Sequence, residues 1–205
     1  MLLKQLKRLV RENWWRLNQD RFPRHPDGKT LLHIGCGTIN SPGFINIDAR
    51  KYPHVHFVAK NLTSLPLFPG DVADLIYMCH VLEHVTRDQV GAVLSEMFRL
   101  LKPGGTLRLS VPDFDRLIEM YFATGRNIPS VSGALMGGQD YAYNFHYVVF
   151  NAEFLGDLLR SCGYRDIRTW DPEHCQYHDF QDWASRLYEC DGKQYPISLN
   201  LEATK

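Results

Sequence analysis

Residues 31–48, LLHIGCGTINSPGFINID, decide the fold of this chain. A short apolar run ends in the turn Gly35-Cys36-Gly37, and a second apolar run ends at Asp48. In open α/β sheets, ligands bind at the carboxyl ends of parallel strands. There, glycines let backbone N–H groups approach the ligand, and an acid on the next strand reaches a ribose. The stretch therefore predicts a ribose-binding turn, with an ordinary strand-turn as the alternative.

Composition limits the partners and the number of domains. With 205 residues and 44% hydrophobic content, the chain can bury one core. Lys plus Arg and Asp plus Glu both number 23, so no net field attracts a polyanion and we expect no nucleic-acid partner. The five cysteines include no CxxC pair, which predicts neither a disulfide framework nor a zinc knuckle and favours the reducing cytoplasm.

Residues 1–29 are predicted to be a segment of their own, an amphipathic basic helix followed by a linker. Residues 1–24 hold seven basic and two acidic side chains, and a linker at 21–28 is broken by two prolines and a glycine. Apolar side chains recur at steps of three and four: Leu2, Leu3, Leu6, Leu9, Val10, Trp14 and Leu17.

The partner of this helix is left open by the sequence. In one interpretation the helix packs on its own domain or on a second subunit. In the other, residues 1–18 contact a membrane surface or a partner protein. No stretch approaches the roughly 20 apolar residues of a membrane span. The predicted location is therefore cytoplasmic, with peripheral membrane contact as the alternative, and the oligomeric state stays open.

Beyond the linker, strand-like and helix-like patterns alternate, which is typical of an α/β fold with a parallel sheet. Residues 102–105, Lys-Pro-Gly-Gly, are predicted to end a helix and turn the chain. Residues 124–144 lack periodicity and are predicted to be a loop or lid. The predicted strands are 31–35, 44–48, 55–59, 75–79, 106–111, 166–170 and 198–203, and the predicted helices are 88–101, 114–122 and 151–162.

Four stretches together resemble the class I S-adenosylmethionine-dependent methyltransferases. They are LLHIGCGTINSPGFINID (31–48), ADLIYMCHVLEHV (73–85), VLSEMFRLLKPGGTLRLSVPD (93–113) and SLNLEATK (198–205). The nearest branch is a small bacterial one found beside polysaccharide and glycosyltransferase functions. The resemblance implies one domain over residues 30–205. It also implies a Rossmann-like sheet that is mostly parallel with an antiparallel last strand, flanked by helices, and S-adenosylmethionine as the cofactor.

The resemblance also implies a set of cofactor-binding residues, carried over position by position. They are Gly35, Cys36, Gly37, Asp48, Asn61, Leu62, Cys79 and His80. Asp48 is expected to accept hydrogen bonds from both ribose hydroxyls, and the Asn61 carbonyl from the adenine amino group. Two features depart from the family pattern. His33 stands where many members carry an acid, and only eight residues separate the first two strands, too few for a normal crossover helix.

Methyl transfer requires an acceptor atom aligned behind the methyl group and shielded from water, and a hydroxyl acceptor also needs a base. His84 and His146 are the predicted catalytic residues, with a purely structural role as the alternative for each. Tyr141, Tyr143 and Asn144 in the predicted lid are expected to bind the acceptor, with plain packing as the alternative. The predicted acceptor is a small molecule or a glycan, methylated on oxygen.

Other ligands and functions fit the sequence less well. His174 and His178 would share a helix face near Cys175, but Asp171-Pro172 indicates a loop and a metal needs at least three ligands, so we predict no metal site. A nicotinamide dinucleotide would need a third glycine where Asn40 stands. The main alternative is a catalytically inactive protein of the same fold that binds a membrane surface or another protein.

Overall fold

The computed structural model describes the backbone of residues 2–205 and the side chains of residues 9, 10 and 12–205. The helices are α1 (Leu2–Asn18), α2 (Val90–Leu100), α3 (Phe114–Ala123), α4 (Ile128–Met136) and α5 (Ala152–Ser161). The strands are β1 (Leu31–Ile34), β2 (Phe44–Asp48), β3 (Phe57–Val58), β4 (Ala73–Cys79), β5 (Leu101–Pro112), β6 (Arg165–Thr169), β7 (Leu187–Cys190), β8 (Lys193–Pro196) and β9 (Ser198–Thr204).

Seven strands form one sheet in the order β3-β2-β1-β4-β5-β9-β6. The pairs from β3 to β5 are parallel, whereas β9 runs antiparallel to both β5 and β6. Every residue of β1 and β2 is buried. One face of these strands packs in the core that contains α2 and α5, and the other packs on residues of the irregular segment 170–184. The predicted fold class, including the antiparallel last strand, is confirmed.

The order of the strands brings three of their carboxyl ends together. β1 lies between β2 and β4 with Ile34 opposite Ile47 and Met78, so the residues that follow each strand meet at one edge. Helix α2 buries Val93, Leu94 and Met97 in the same core. Each such side chain contributes roughly 1.5–3 kcal/mol by leaving water, so the frame beneath that edge is rigid.

The N-terminal helix forms as predicted, and its second half contacts the domain. The ring of Trp15 stacks on Phe22 at 5.8 Å and lies 5.3 Å from Phe68, and Phe22 lies 4.8 Å from Phe57 of β3. Three of the seven residues of the predicted apolar face, Leu2, Leu3 and Leu6, lie outside the described side chains. Over the residues that the structure describes, no helix is both long and apolar enough to cross a membrane. The division of the chain into a segment of residues 1–29 and a domain of residues 30–205 stays a prediction.

The prediction that 124–144 is only a loop or lid is wrong, because helix α4 spans Ile128–Met136. Val131 of α4 is buried with Leu117 and Met120 of α3 and with Ile197. This helix has little amphipathic periodicity, and its stability comes from that packing and not from its own pattern. The part of the predicted lid that follows this helix, residues 137–144, remains irregular.

Two further corrections concern strands. Residues 102–105 do not leave the sheet but form a bulge inside β5, because Gly104 N–H donates to Lys205 O and Lys205 N–H donates to Gly105 O. The hairpin β7–β8 was missed. Its turn, Asp191-Gly192, has positive φ at both residues, and Asp-Gly is a strong hairpin signal.

A buried ion pair joins the neighbouring antiparallel strands β5 and β9. Nε and Nη2 of Arg108 lie 3.1 and 3.0 Å from Glu202 Oε2, and both residues are buried. Arg108 also donates from Nη1 to Gln176 O, and Arg168 donates to Glu202 Oε1. A buried pair of this kind is costly to break from one side, since the remaining charge has nothing to neutralise it.

We expect Glu202→Gln to lower the free energy of unfolding by about 3 kcal/mol, because it leaves the Arg108 guanidinium buried without its counter-charge. Urea denaturation measures the change. The matched control is Asp157→Asn, which breaks the exposed Arg160–Asp157 pair on α5 and should cost less than about 1 kcal/mol. Equal, small losses in both variants would contradict the role given to the buried pair.

Candidate active site

The glycine turn after β1 is tied to the end of β2 by backbone hydrogen bonds. Gly35 N–H and Cys36 N–H both donate to Ile47 O, at 2.7 and 3.3 Å. Gly37 N–H donates to Asp48 Oδ2 at 2.8 Å, and His54 Nε2 lies 3.1 Å from Gly37 O. The turn is therefore held in place by the protein itself, with its backbone facing the cavities described below.

Asp48 is buried at the end of β2 and organises the next turn as well. Its Oδ1 accepts a hydrogen bond from Arg50 N–H at 2.7 Å, and Arg50 Nε lies 3.6 Å from the same oxygen. The Arg50 guanidinium packs over the Tyr141 ring at 4.7 Å. One carboxylate thus positions the glycine turn directly and the segment after α4 through Arg50.

A first cavity of about 450 Å³ opens beside these residues. Five of the predicted cofactor-binding residues line it: Gly35, Asp48, Asn61, Leu62 and His80. Tyr141 and Tyr143, predicted to bind the acceptor, line it too. Tyr143 therefore lies on the side of the predicted cofactor residues, whereas Tyr141 borders both cavities.

Asn61 lines the first cavity, but the contact predicted for it needs correction. Its Oδ1 already accepts hydrogen bonds from Thr63 N–H at 2.9 Å and Thr63 Oγ1 at 2.8 Å. Both lone pairs of that oxygen are used. The part of the amide left to contact a ligand is Nδ2, a donor, and not the carbonyl oxygen.

A second cavity of about 490 Å³ adjoins the first, and the two share Gly35, Arg50, His80, His84 and Tyr141 in their walls. The other predicted residues in the second cavity are Cys36, Gly37, Cys79, Asn144 and His146. Desolvation raises the pKa of the Cys36 thiol to about 12 and that of the Cys79 thiol, so both stay protonated. The two cavities are therefore adjacent and share one wall.

Sequence reasoning missed several residues of the second cavity, among them Asp182, Trp183 and Tyr188. They belong to an irregular segment before β7 and to β7 itself, more than 100 residues after the glycine turn. Asp182 is fixed by a hydrogen bond from the Tyr77 hydroxyl of β4. No periodicity marks this segment, and only the Asp-Gly hairpin signal after β7 pointed to order nearby.

His80 ends β4 with a positive φ of 51°, a conformation that costs a non-glycine residue energy and is often found at functional sites. Its N–H donates to Ser110 O, and its ring Nε2 lies 2.9 Å from Ser198 Oγ. Its Nδ1 lies 3.2 Å from Glu83 Oε1. His80 is therefore held between β5, β9 and the turn that follows β4.

Glu83, His84 and His146 come together at the wall of the second cavity. The rings of His84 and His146 are 4.7 Å apart, and His146 Nε2 lies 4.0 Å from Glu83 Oε1. Burial lowers the pKa of His146, so this ring is neutral near pH 7. Burial alone would raise the pKa of Glu83, but the neighbouring His80, His84 and His146 outweigh it and lower the pKa. Glu83 is therefore ionised.

The alternative histidine pair of the sequence does not form a site. His174 is exposed and its Nδ1 contacts Asp171 at 2.8 Å, in a turn and not on a helix. His178 is buried against the rings of Tyr77, Trp170 and Phe180. Among the described residues, the groups close enough to hold a metal include neither histidine.

His33, which stands where an acid was expected, is almost fully buried. Its Nδ1 lies 2.9 Å from Ser41 Oγ, and its ring stacks on Phe180 at 5.7 Å. Burial, with smaller contributions from His178 and His54, lowers its pKa to about 3. His33 is thus a neutral packing residue at the edge of the second cavity, and it brings no charge to the glycine turn.

The buried His33 should make the protein less stable in acid. Unfolded, it takes up a proton below its ordinary pKa of 6.5, whereas folded it stays neutral to about 3. The free energy of unfolding is therefore unaffected by this titration above pH 6.5. It falls as the pH drops from 6.5 toward 3, and the loss is about 2 kcal/mol at pH 5. We expect His33→Gln to reduce the difference in unfolding free energy between pH 7 and pH 5 by that amount, and His174→Gln not to reduce it. Identical acid sensitivity of His33→Gln and the wild type would contradict this.

Gly35 has φ +67°, and a Cβ added there would lie 2.2 Å from Val81 Cγ2. We expect Gly35→Ala to destabilise the fold by about 2 kcal/mol or more, through the left-handed backbone and the overlap. The control is Gly91→Ala in α2, where an added Cβ meets nothing within 4 Å. This substitution should raise the free energy of unfolding by about 0.5–1 kcal/mol, because alanine favours a helix more than glycine does. Thermal melting compares the two, and an unchanged Gly35→Ala melt would show that the turn is not close-packed.

Comparison with known proteins finds relatives among the methyltransferases. A family model described as a methyltransferase domain matches residues 36–109. A probable S-adenosylmethionine-dependent methyltransferase of Mycolicibacterium smegmatis is 29% identical over 76% of this chain and 61% of its own length. A ubiquinone/menaquinone biosynthesis C-methyltransferase of Vibrio vulnificus is 32% identical over 57% of this chain and 42% of its own. The chain thus spans about three-fifths or less of these relatives.

Solved structures show the same fold. An S-adenosylmethionine-dependent methyltransferase from Archaeoglobus fulgidus aligns with a TM-score of 0.54 and 15% identity over 97% of this chain and 94% of its own. The 1,6-didemethyltoxoflavin-N1-methyltransferase of Burkholderia thailandensis, which contains S-adenosylhomocysteine, aligns with a TM-score of 0.53 and 18% identity over 97% of this chain and 77% of its own. Together, the family model and the relatives show that residues 36–109 are similar to a methyltransferase domain, and the solved structures show that the chain has the fold of these proteins.

Proposed function

We propose that this protein transfers the methyl group of S-adenosylmethionine to an oxygen atom of a small hydroxylated molecule or a glycan. The observation that carries the proposal is that the two cavities adjoin and share five lining residues. One holds the predicted ribose and adenine residues, and the other holds histidines and aromatic side chains, with His80 and His84 in the shared wall. Two substrates can therefore meet at that wall.

The residues of the first cavity fit the cofactor. A nucleoside without phosphates needs a close approach to backbone and a carboxylate for the ribose hydroxyls. Gly35 lines this cavity and has no side chain to keep a ligand from its backbone. Asp48 supplies the carboxylate, and each of its oxygens keeps a lone pair beyond the one that a backbone N–H uses. When bound, the cofactor supplies an electrophilic methyl group on a sulfonium sulfur.

The residues of the second cavity suit a polar acceptor with a flat apolar face. Trp183, Tyr141 and Tyr188 offer rings that can stack on a sugar or an aromatic ring. Asn144, His84 and His146 offer groups that can bind a hydroxyl. The relatives do not decide the acceptor atom, since their names specify a carbon in one case and a ring nitrogen in another. Oxygen and a glycan are supported by this lining and by the resemblance of the sequence.

For a hydroxyl acceptor, the new bond from oxygen to the methyl carbon forms as the methyl–sulfur bond breaks, and the hydroxyl proton must leave. Nε2 of His84 or His146 can accept that proton directly, as the sequence predicts. Both nitrogens have this capacity because Nδ1 of each ring faces a carbonyl oxygen, Phe145 O at 3.1 Å and Ala134 O at 3.0 Å. Nδ1 therefore carries the hydrogen, and Nε2 has a lone pair.

We expect S-adenosylhomocysteine to bind with a micromolar dissociation constant, which corresponds to a binding free energy of about −8 kcal/mol. Asp48→Asn should weaken this binding at least tenfold. The variant keeps the size of the side chain but offers the ribose one carboxamide oxygen in place of two carboxylate oxygens. Isothermal titration calorimetry measures both, and the exposed Asp157→Asn serves as the matched control with unchanged affinity. Absence of binding to the wild-type chain at millimolar ligand would leave only an inherited fold and favour the inactive alternative.

A further inference from the structure

We propose that Glu83, His84 and His146 bind a divalent transition-metal ion in the wall of the second cavity. One ligand atom from each residue, a carboxylate oxygen and two ring nitrogens, lies within 4.8 Å of the other two. The sequence pointed elsewhere, since it offered His174 and His178 as the pair to consider. Glu83 and His84 are neighbours in the turn after β4, and His146 joins them only through the segment that follows α4.

The buried carboxylate is the first observation that points to a cation. The side chain of Glu83 is 1% exposed, and neither of its oxygens accepts a hydrogen bond from the described residues. His80 Nδ1 lies 3.2 Å from Oε1 but outside hydrogen-bonding geometry. A buried charge without such bonds is costly, whereas a metal ion satisfies both its charge and its lone pairs.

The histidine tautomers are the second, independent observation. Histidines that ligate metals usually donate the N–H of the other ring nitrogen to a backbone carbonyl or carboxylate, which fixes the tautomer and the ring orientation. His84 and His146 both do so, through Nδ1 to Phe145 O and to Ala134 O. Each ring therefore keeps a lone pair on Nε2, the form that binds metal.

The composition of this ligand set restricts the ion. Two imidazoles and one carboxylate suit zinc, cobalt, iron or manganese, whereas magnesium and calcium prefer oxygen ligands. Three protein ligands leave coordination positions open, as in catalytic zinc sites. His84 borders both cavities and His146 the second, so the open positions face the space for the acceptor. A bound ion would hold an acceptor oxygen there. Because it would use the Nε2 lone pairs of His84 and His146, the acceptor hydroxyl would then lose its proton to water through coordination to the ion and not to either ring; this last step rests on the proposed function.

The test titrates the full-length protein, freed of metal by a chelator, with Zn²⁺ in a calorimeter and with Co²⁺ by visible absorption. We expect one site with a micromolar or lower dissociation constant, and binding at least 100-fold weaker in Glu83→Gln and in His146→Gln, since even outer-shell changes cost 10–100-fold. The matched control, His174→Gln, removes an exposed histidine that pairs with Asp171 and should bind Zn²⁺ like the wild type.

The outcomes separate this proposal from the proposed function. S-adenosylhomocysteine binding, measured with chelator present, shows whether each variant is folded. If the wild-type chain binds this ligand but takes up no Zn²⁺, or if both folded variants keep wild-type Zn²⁺ affinity, the metal site is overturned and methyl transfer still stands. If Zn²⁺ binds but S-adenosylhomocysteine does not, the metal site stands and the proposed function fails. Loss of Zn²⁺ binding in His174→Gln would place the ion at the surface and overturn the site.

Discussion

The hydrogen bonds that the Asp48 carboxylate accepts hold the two turns of the candidate site in place. The carboxylate accepts a hydrogen bond from Gly37 on one side and from Arg50 on the other, so the ends of β1 and β2 are tied through one buried side chain. A carboxylate in this position also retains lone pairs for a ribose. The same group that organises the turn is therefore the one that we propose binds the cofactor, and its position follows from the parallel pairing of β1 with β2.

The turn after β4 places a second set of groups across the site from Asp48. His80 adopts a left-handed backbone that bends the chain out of the sheet, and Glu83 then points into the interior while His84 faces the cavities. Val81 fills the space beside Gly35, which explains why that position has no side chain. Close packing of two strand ends thus sets the distance between the predicted cofactor-binding residues and the histidines.

Much of the fold could be predicted from local pattern, because buried parallel strands and amphipathic helices repeat at characteristic periods. The strands at 31–34, 44–48 and 198–204 and the helices at 90–100 and 152–161 lie within two or three residues of their predicted bounds. The errors fall where tertiary contacts override local signals. Helix α4 exists because Val131 packs on α3, and residues 102–105 remain in β5 because the chain end pairs with them.

By itself, the sequence determined the class of sheet, the glycine turn, the acid at the end of β2 and the histidines after β4, since each lies within one short stretch of chain. Only the tertiary structure decided which of these groups meet. It brought His146 to Glu83, separated Tyr143 from the second cavity, buried His33 as a neutral ring and added Trp183 from a distant segment. Contacts between residues far apart in the chain depend on how helices and loops pack over the strand ends, and no periodicity in the sequence records that packing.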